Sequence, residues 1–367
     1  MSDKNRDPAM DIIRCIAFLC VVCVHFFLNS GFYNEIVAGR RMFCMTLMRS
    51  AFMVCVPLFI LLSGHLMGQK APIRTYYAKI VRILLIYVLA CICSLLFKQA
   101  ILKEHISLAD GIWSILDFSA SEYSWYVEMY IGLFLLIPFL NILYQNIPCQ
   151  HQKKLLIGSL LFLTSLPGII NVYNFTDSGW WSAPGLSTSY QFILPDWWSK
   201  LYPVTYYFIG SYLKEYPLKL RKSTHFLLMV AAFLGNGLYN FYRSKGVLFA
   251  WGAWQNWGAL PIVIQSVLFF SFLANQRYDW CGPRLRNFLA KISSLCFGGY
   301  LVSSIFDTLL YGILNSYEPV MKLRINWFPV IVPFVYIFSL CLSDILEILS
   351  TLLLGIFSKA KSRQENS

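Results

Sequence analysis

Long apolar runs separated by short polar connections recur along the whole 367-residue chain. They place spans at 11–29, 46–67, 79–97, 125–144, 155–173, 197–213, 224–242, 257–274, 288–314 and 327–356. A bilayer core needs about 20 mostly apolar residues per helix. Backbone groups in lipid must be satisfied internally, which leaves helices or a closed barrel. These runs are continuous rather than alternating, and that selects helices. The pattern therefore predicts an all-α fold, a polytopic membrane bundle of about ten transmembrane helices forming a single domain over 1–367 with no appended soluble domain. The last two runs exceed the thickness of a bilayer core, so tilt or an extension into the interface is expected. The first run follows a short polar head, Ser2 to Pro8, and no small-residue cleavage site comes after it. It reads as a membrane anchor rather than a removable signal.

Composition agrees: 57% of residues are hydrophobic and 13% charged, against roughly 25% charged in soluble domains. The net charge of +12 marks cytoplasmic loops rather than a nucleic-acid partner. Loops on the amino-terminal side carry Lys4, Arg6, Lys70, Arg74, Lys79, Lys153, Lys154, Lys214, Lys219, Arg221, Lys222, Arg277, Arg284, Arg286, Lys291, Lys359, Lys361 and Arg363. The opposite side carries about ten, so both termini are expected in the cytoplasm, as an even number of spans requires. Most of the 11 cysteines sit inside apolar runs, and Cys20 and Cys23 form a lone pair two residues before His25. That is a poor zinc arrangement, so small buried thiols and no metal are expected.

The longest outer connections are 98–124 and 174–196. The second holds Trp180 and Trp181, with Trp197 and Trp198 just beyond it and Pro184 and Pro195 nearby. Such clusters form interfacial belts and also stack on sugar rings. Asn174-Phe175-Thr176 is a glycosylation sequon, meaningful only in a eukaryotic secretory setting.

Ionisable groups inside apolar spans are costly and point to function. The first span carries Asp11, Arg14 and His25. At ~100° and ~1.5 Å per residue, Arg14 and His25 share one helix face roughly 16 Å apart. One stripe thus presents an anion binder near the inner mouth and a titratable base deeper in. Asp11, three residues before Arg14, is placed to hold its guanidinium. In the second span Pro57 frees a backbone carbonyl inside the membrane. Arg49 lies two turns earlier, toward the outer side, and His65 follows Ser63-Gly64 near the inner side.

Several segments, in this order and spacing, resemble acyltransferase family 3, the integral membrane acyltransferases of cell-surface glycans. They are Asp11-Ile-Ile-Arg14 with His25 eleven residues on; Val56-Pro-Leu-Phe-Ile-Leu-Leu-Ser-Gly64; Tyr77-Ala-Lys79-Ile-Val-Arg82; Ser124-Trp125 through Pro138; and Ile292 through Tyr300-Leu301. The chain departs from the family at Ser124 and Val302, where many members have histidine. This throws the chemistry onto His25, with Glu128 or Asp307 as further catalytic candidates or as structural partners of Arg49.

The resemblance implies an acyl-CoA donor, acetyl-CoA in the simplest case, in the cytoplasm of a bacterial plasma membrane. It implies as acceptor a hydroxyl of a cell-surface or lipid-linked glycan. Arg14, Lys79 and Arg82 suit CoA phosphates, with Lys70 and Arg74 adding looser attraction. An imidazole with an unperturbed pKa of about 6.5 suits a general base at neutral pH. Ser63, or a backbone N–H near Pro57, is the candidate oxyanion donor. Trp125, Trp180, Trp181 and Arg49 complete the expected substrate contacts. Direct transfer is favoured over an acyl-enzyme because no serine lies in a nucleophile elbow. The competing class is a transporter or flippase of glycan precursors, which broken helices and intramembrane charges also fit; the chain carries no inverted repeat.

Overall fold

The computed structural model describes residues 6–186 and 189–364. These residues form α-helices α1 (Pro8–Asn29), α2 (Gly39–Phe52), α3 (Cys55–Met67), α4 (Arg74–Tyr77), α5 (Ile80–Ala100), α6 (Leu108–Leu116), α7 (Trp125–Gln145), α8 (Gln150–Thr164), α9 (Pro167–Ile170), α10 (Tyr202–Glu215), α11 (Lys222–Ser244), α12 (Leu260–Ala274), α13 (Pro283–Tyr317) and α14 (Phe328–Gln364). Among the described residues the only β pairing is two isolated bridges, Ile36 with Leu248 and Val37 with Lys245. Of the basic residues expected on the inner side, Lys4 lies outside the described residues, as do the side chains of Lys359, Lys361 and Arg363.

The chain is an all-α integral membrane protein. Seven helical segments are long and apolar enough to cross a bilayer: Pro8–Asn34, Gly39–Met67, Arg74–Ala100, Trp125–Gln145, Ala253–Ala274, Pro283–Tyr317 and Met321–Ile356. Three further predicted spans are helical but differ from these seven. α8 and α10 have only 15 and 14 residues. α11 carries Asn236, Asn240 and Arg243 along a 23-residue helix.

Hydrogen bonds and ion pairs tie the helix ends together on two faces. On one face Arg6 reaches the start of α13 through the Ala290 carbonyl. Arg82 at the start of α5 pairs with Glu347 of α14. Asn141 at the end of α7 donates to the carbonyls of Met67 and Lys70 after α3, and Lys153 of α8 meets Glu215 at the end of α10. This is the basic face. On the far face Asn315 of α13 donates to the Asn29 carbonyl at the end of α1. There the 35–38 segment pairs with 245–248 after α11.

Local sequence explains the first helix. Asp7 caps α1 by accepting from the Ala9 N–H, and Pro8 occupies its first turn, where a missing N–H costs nothing. The predicted second span is two helices, not one. The break at Met53 and Val54 releases the Ser50 carbonyl, which accepts from Gln265 of α12 at 3.1 Å and Asn236 of α11 at 3.5 Å. These two buried amides allow a half-helix to end inside the bundle. The break frees the Ser50 carbonyl, three residues before the Met53 carbonyl from which Pro57 withholds a donor.

Below the break, α3 and α10 pack backbone to backbone. A Cβ on Gly64 would overlap the Tyr207 carbonyl, and one on Gly210 would overlap the Leu61 carbonyl. Gly64→Ala is therefore expected to destabilise the bundle by roughly 1–3 kcal/mol, the usual range for overpacking. A detergent melting curve should shift downward, and an unchanged midpoint would argue against so close a crossing.

Candidate active site

Two cavities lie end to end along the face of α1 that carries Arg14, Val21 and His25. The larger, about 580 Å³, sits toward the basic face and is lined by Arg14, Ser63, Lys79 and Arg82 with apolar and tyrosine side chains. The smaller, about 300 Å³, is lined by His25, Arg49, Trp125, Trp251, Gln255 and Trp257, among others. Val21, Val56 and Tyr300 belong to both walls, so only a thin partition separates the two. Arg14 and His25 thus face adjacent chambers, one on each side of this shared wall.

His25 is buried, and its Nδ1 lies 3.1 Å from Asp307 Oδ2. The Tyr123 hydroxyl donates to that same oxygen at 2.8 Å. The Tyr300 hydroxyl donates to the Tyr123 carbonyl at 2.8 Å, which fixes the tyrosine in turn. The Tyr123 ring stacks on the imidazole, with centroids 3.8 Å apart. With a carboxylate on the other side, Nδ1 carries the proton and Nε2 is left as the acceptor. This is the arrangement that orients an imidazole for general-base work. Ser124 and Val302, the two positions at which the chain departs from the family it resembles, are fully buried. Tyr123, the neighbour of Ser124, and not a second histidine, completes the network.

Arg14, Ser63, Lys79 and Arg82 come together around the larger cavity. Arg14 Nη1 donates to Ser293 Oγ at 2.5 Å and lies 3.5 Å from Asp11. The closer partner of Asp11 is Arg6, which reaches both carboxylate oxygens at 2.6 and 2.7 Å. Arg82 is bonded to Glu347 at 2.6 Å. The Ser63 hydroxyl donates to the Phe59 carbonyl at 2.9 Å while lining the larger cavity. Among the described residues no cluster of three His, Cys, Asp or Glu side chains has metal-site geometry.

Other predicted residues fall elsewhere. Asp307 partners His25 and not Arg49, which makes no ion pair with any described carboxylate within 4.0 Å. Glu128 is exposed on the first turn of α7 and lines neither cavity. Trp180 is buried beneath Arg243, whose guanidinium is 4.9 Å from its ring and 3.7 Å from that of Trp254. Trp181 stacks on Tyr173. Val172, Trp181 and Tyr190 are fastened to α11 by hydrogen bonds from Tyr242 and Arg243, and the tryptophan pair lines neither chamber. The aromatic wall comes instead from Trp125, stacked on Trp257 at 4.5 Å, and from Trp251 and Trp257 of the stretch Trp251-Gly-Ala-Trp254-Gln-Asn-Trp257, whose middle tryptophan packs on Arg243. Three tryptophans in seven residues, with Gln255 and Asn256 between them, were a visible signal in the sequence. It was hidden by its position at the edge of a predicted span.

The segments that meet here are the ones whose order resembles a known family, and residues 7–348 match the acyltransferase domain of acyltransferase family 3. The chain belongs to this acyltransferase family. No curated protein and no solved structure matches it beyond that. The family assignment covers nearly the whole chain, so both chambers and every helix around them lie within the acyltransferase domain. The enzyme therefore needs a place for an acyl donor and a place for an acceptor, and its fold offers two chambers that share a wall.

Proposed function

We propose that this acyltransferase moves an acyl group, acetyl in the simplest case, from cytoplasmic acyl-CoA to a hydroxyl of a cell-surface or lipid-linked glycan. The observation that carries this reading is the His25–Asp307 pair in the smaller chamber, one thin partition away from the chamber that holds Arg14, Lys79 and Arg82. The basic face is taken as cytoplasmic, with both termini on it, because excess Lys and Arg mark that side.

The larger chamber receives the donor. Arg14, Lys79 and Arg82 present cations to the CoA phosphates at its mouth, and the apolar walls suit the pantetheine arm and acyl group. The thioester carbonyl then reaches the partition at Val21, Val56 and Tyr300. The acceptor hydroxyl enters the smaller chamber and gives its proton to His25 Nε2 as its oxygen attacks the carbonyl carbon. Asp307 stabilises the resulting imidazolium. The tetrahedral intermediate collapses by breaking the C–S bond, and the imidazolium proton passes to the leaving thiolate. The ester and free CoA are the products, with no acyl-enzyme.

The aromatic wall suits a sugar ring. Trp257→Ala is expected to raise the acceptor KM by roughly tenfold, in line with the loss of one stacking partner, with acyl-CoA affinity unchanged. A shift in acyl-CoA affinity instead would place that wall on the donor side. The activity itself is tested with purified protein in detergent, radiolabelled acetyl-CoA and a glycan acceptor. Label on the glycan supports the reading. Intact acetyl-CoA in every condition would favour transport of a glycan precursor.

A further inference from the structure

The smaller chamber holds a second feature that the proposed mechanism does not use. Arg49, at the end of α2, is 2% exposed. Its guanidinium sits 4.9 Å from the Phe249 ring, 5.1 Å from Trp251 and 5.9 Å from Tyr33. Nε donates to the Tyr33 hydroxyl at 3.0 Å, and this is its only side-chain hydrogen bond among the described residues. Nη1 is buried with no partner. Arg49 forms no ion pair with any described Asp or Glu, and Glu122, the carboxylate lining the same chamber, is exposed and does not reach it.

A buried cation in a membrane protein ordinarily pairs with an anion, because desolvation costs several kcal/mol. Aromatic faces attract the guanidinium but satisfy none of its in-plane N–H groups. The frame around it is built, not incidental. Val37 N–H donates to the Val247 carbonyl at 2.8 Å and Gly246 N–H to the Val37 carbonyl at 3.0 Å. That pairing brings Phe249 and Trp251 beside Tyr33. The Gln255 side-chain oxygen, in the same chamber, is also buried without a partner. A buried guanidinium with an unpaired N–H group, in the wall of a cavity that also holds an unpaired amide oxygen, matches a ligand with a carboxylate or phosphate next to hydrogen-bond donors.

We infer that the smaller chamber is specific for an anionic acceptor, with Arg49 binding a carboxylate or phosphate of the acceptor while His25 addresses a hydroxyl of the same molecule. This rests on the acyl-transfer reading above and narrows its acceptor to glycans that carry negative charge, on the sugar or on a lipid phosphate.

The test uses the full-length protein in detergent, radiolabelled acetyl-CoA and three probe acceptors. They are a glucose-terminated oligosaccharide, its glucuronate-terminated counterpart, and glucose linked to a polyprenyl phosphate. Wild type is expected to favour one or both charged probes. Arg49→Gln should raise KM for the preferred charged probe by roughly 10- to 100-fold more than for the neutral one, the range for one charge-assisted contact. Preference for the glucuronate places the anion on the sugar, and preference for the polyprenyl phosphate places it on the lipid. Arg49→Lys keeps the charge without the fork and should retain part of the preference, which covers the case in which the Gln variant does not fold. The same comparison is read as binding, by tryptophan fluorescence, in His25→Ala and in the His25→Ala, Arg49→Lys double variant. If no probe is acylated by wild type but charge-selective, Arg49-dependent binding persists, the transfer reading fails and the anion subsite stands. No charge preference in wild type, a preference undiminished in whichever Arg49 variants fold, or equal effects on all three probes, would overturn it.

Discussion

His25→Ala is expected to abolish acyl transfer while leaving the protein in the membrane and its donor affinity intact. A positioned general base contributes typically 10²–10⁴-fold, and the described residues offer no second imidazole in the smaller chamber. The side chain lies at a helix face within a packed cluster of rings, so its loss opens space but removes no backbone support. The measurement is the rate of label transfer from radiolabelled acetyl-CoA, alongside an acetyl-CoA binding titration on the same preparation. Full transfer by the alanine variant would remove His25 from the chemistry. Lost donor binding would move its role to the other chamber.

Asp307→Asn carries the second large effect. In the proposed mechanism Asp307 touches no substrate and positions His25. An amide at 307 can donate to Nδ1 instead of accepting from it, which puts the imidazole proton on Nε2 and blocks the base. In a serine-protease triad, replacing the aspartate behind the histidine with asparagine lowers kcat by about 10⁴ for this reason. A fall of roughly 10²–10⁴ is expected here. A purely structural role would lower the amount of folded protein and not the turnover of what remains. The distinguishing result is a drop in kcat with KM for both substrates within about twofold, and partial recovery in Asp307→Glu. Unchanged kcat in a well-folded Asn variant would leave the carboxylate as a packing group for Tyr123 and His25.

The helical bundle was legible from sequence because continuous apolar runs leave the backbone few choices in lipid. The Arg14–His25 stripe was equally legible, since eleven residues return a helix to nearly the same face. Partners beyond one helix were not. Asp307 lies 282 residues from His25, and no local spacing links them. Arg49 was expected to seek a carboxylate, but an aromatic frame assembled from loops at 33 and 249–251 surrounds it instead. Those loops are aligned by two isolated bridges, which leave no periodic trace. The placement of the tryptophan pair at 180–181 was not legible for a related reason. An exposed-looking aromatic cluster carries the same sequence signal whether it meets a sugar or, as Trp180 does, covers a buried arginine. The break between α2 and α3 was half visible. Pro57 announced an irregularity, while the amides that receive the freed carbonyl, Asn236 and Gln265, sit on two distant helices.

We propose that donor and acceptor enter from opposite faces and meet across the Val21, Val56 and Tyr300 partition. It is tested most directly with purified protein in sealed proteoliposomes, with the acceptor glycan trapped inside and radiolabelled acetyl-CoA added outside. Protease accessibility of a tag after Ser367 reports which vesicles have the basic face outward. Label should appear on the trapped glycan in proportion to that fraction and vanish in the His25→Ala protein. Label found only when donor and acceptor share one compartment would contradict the account.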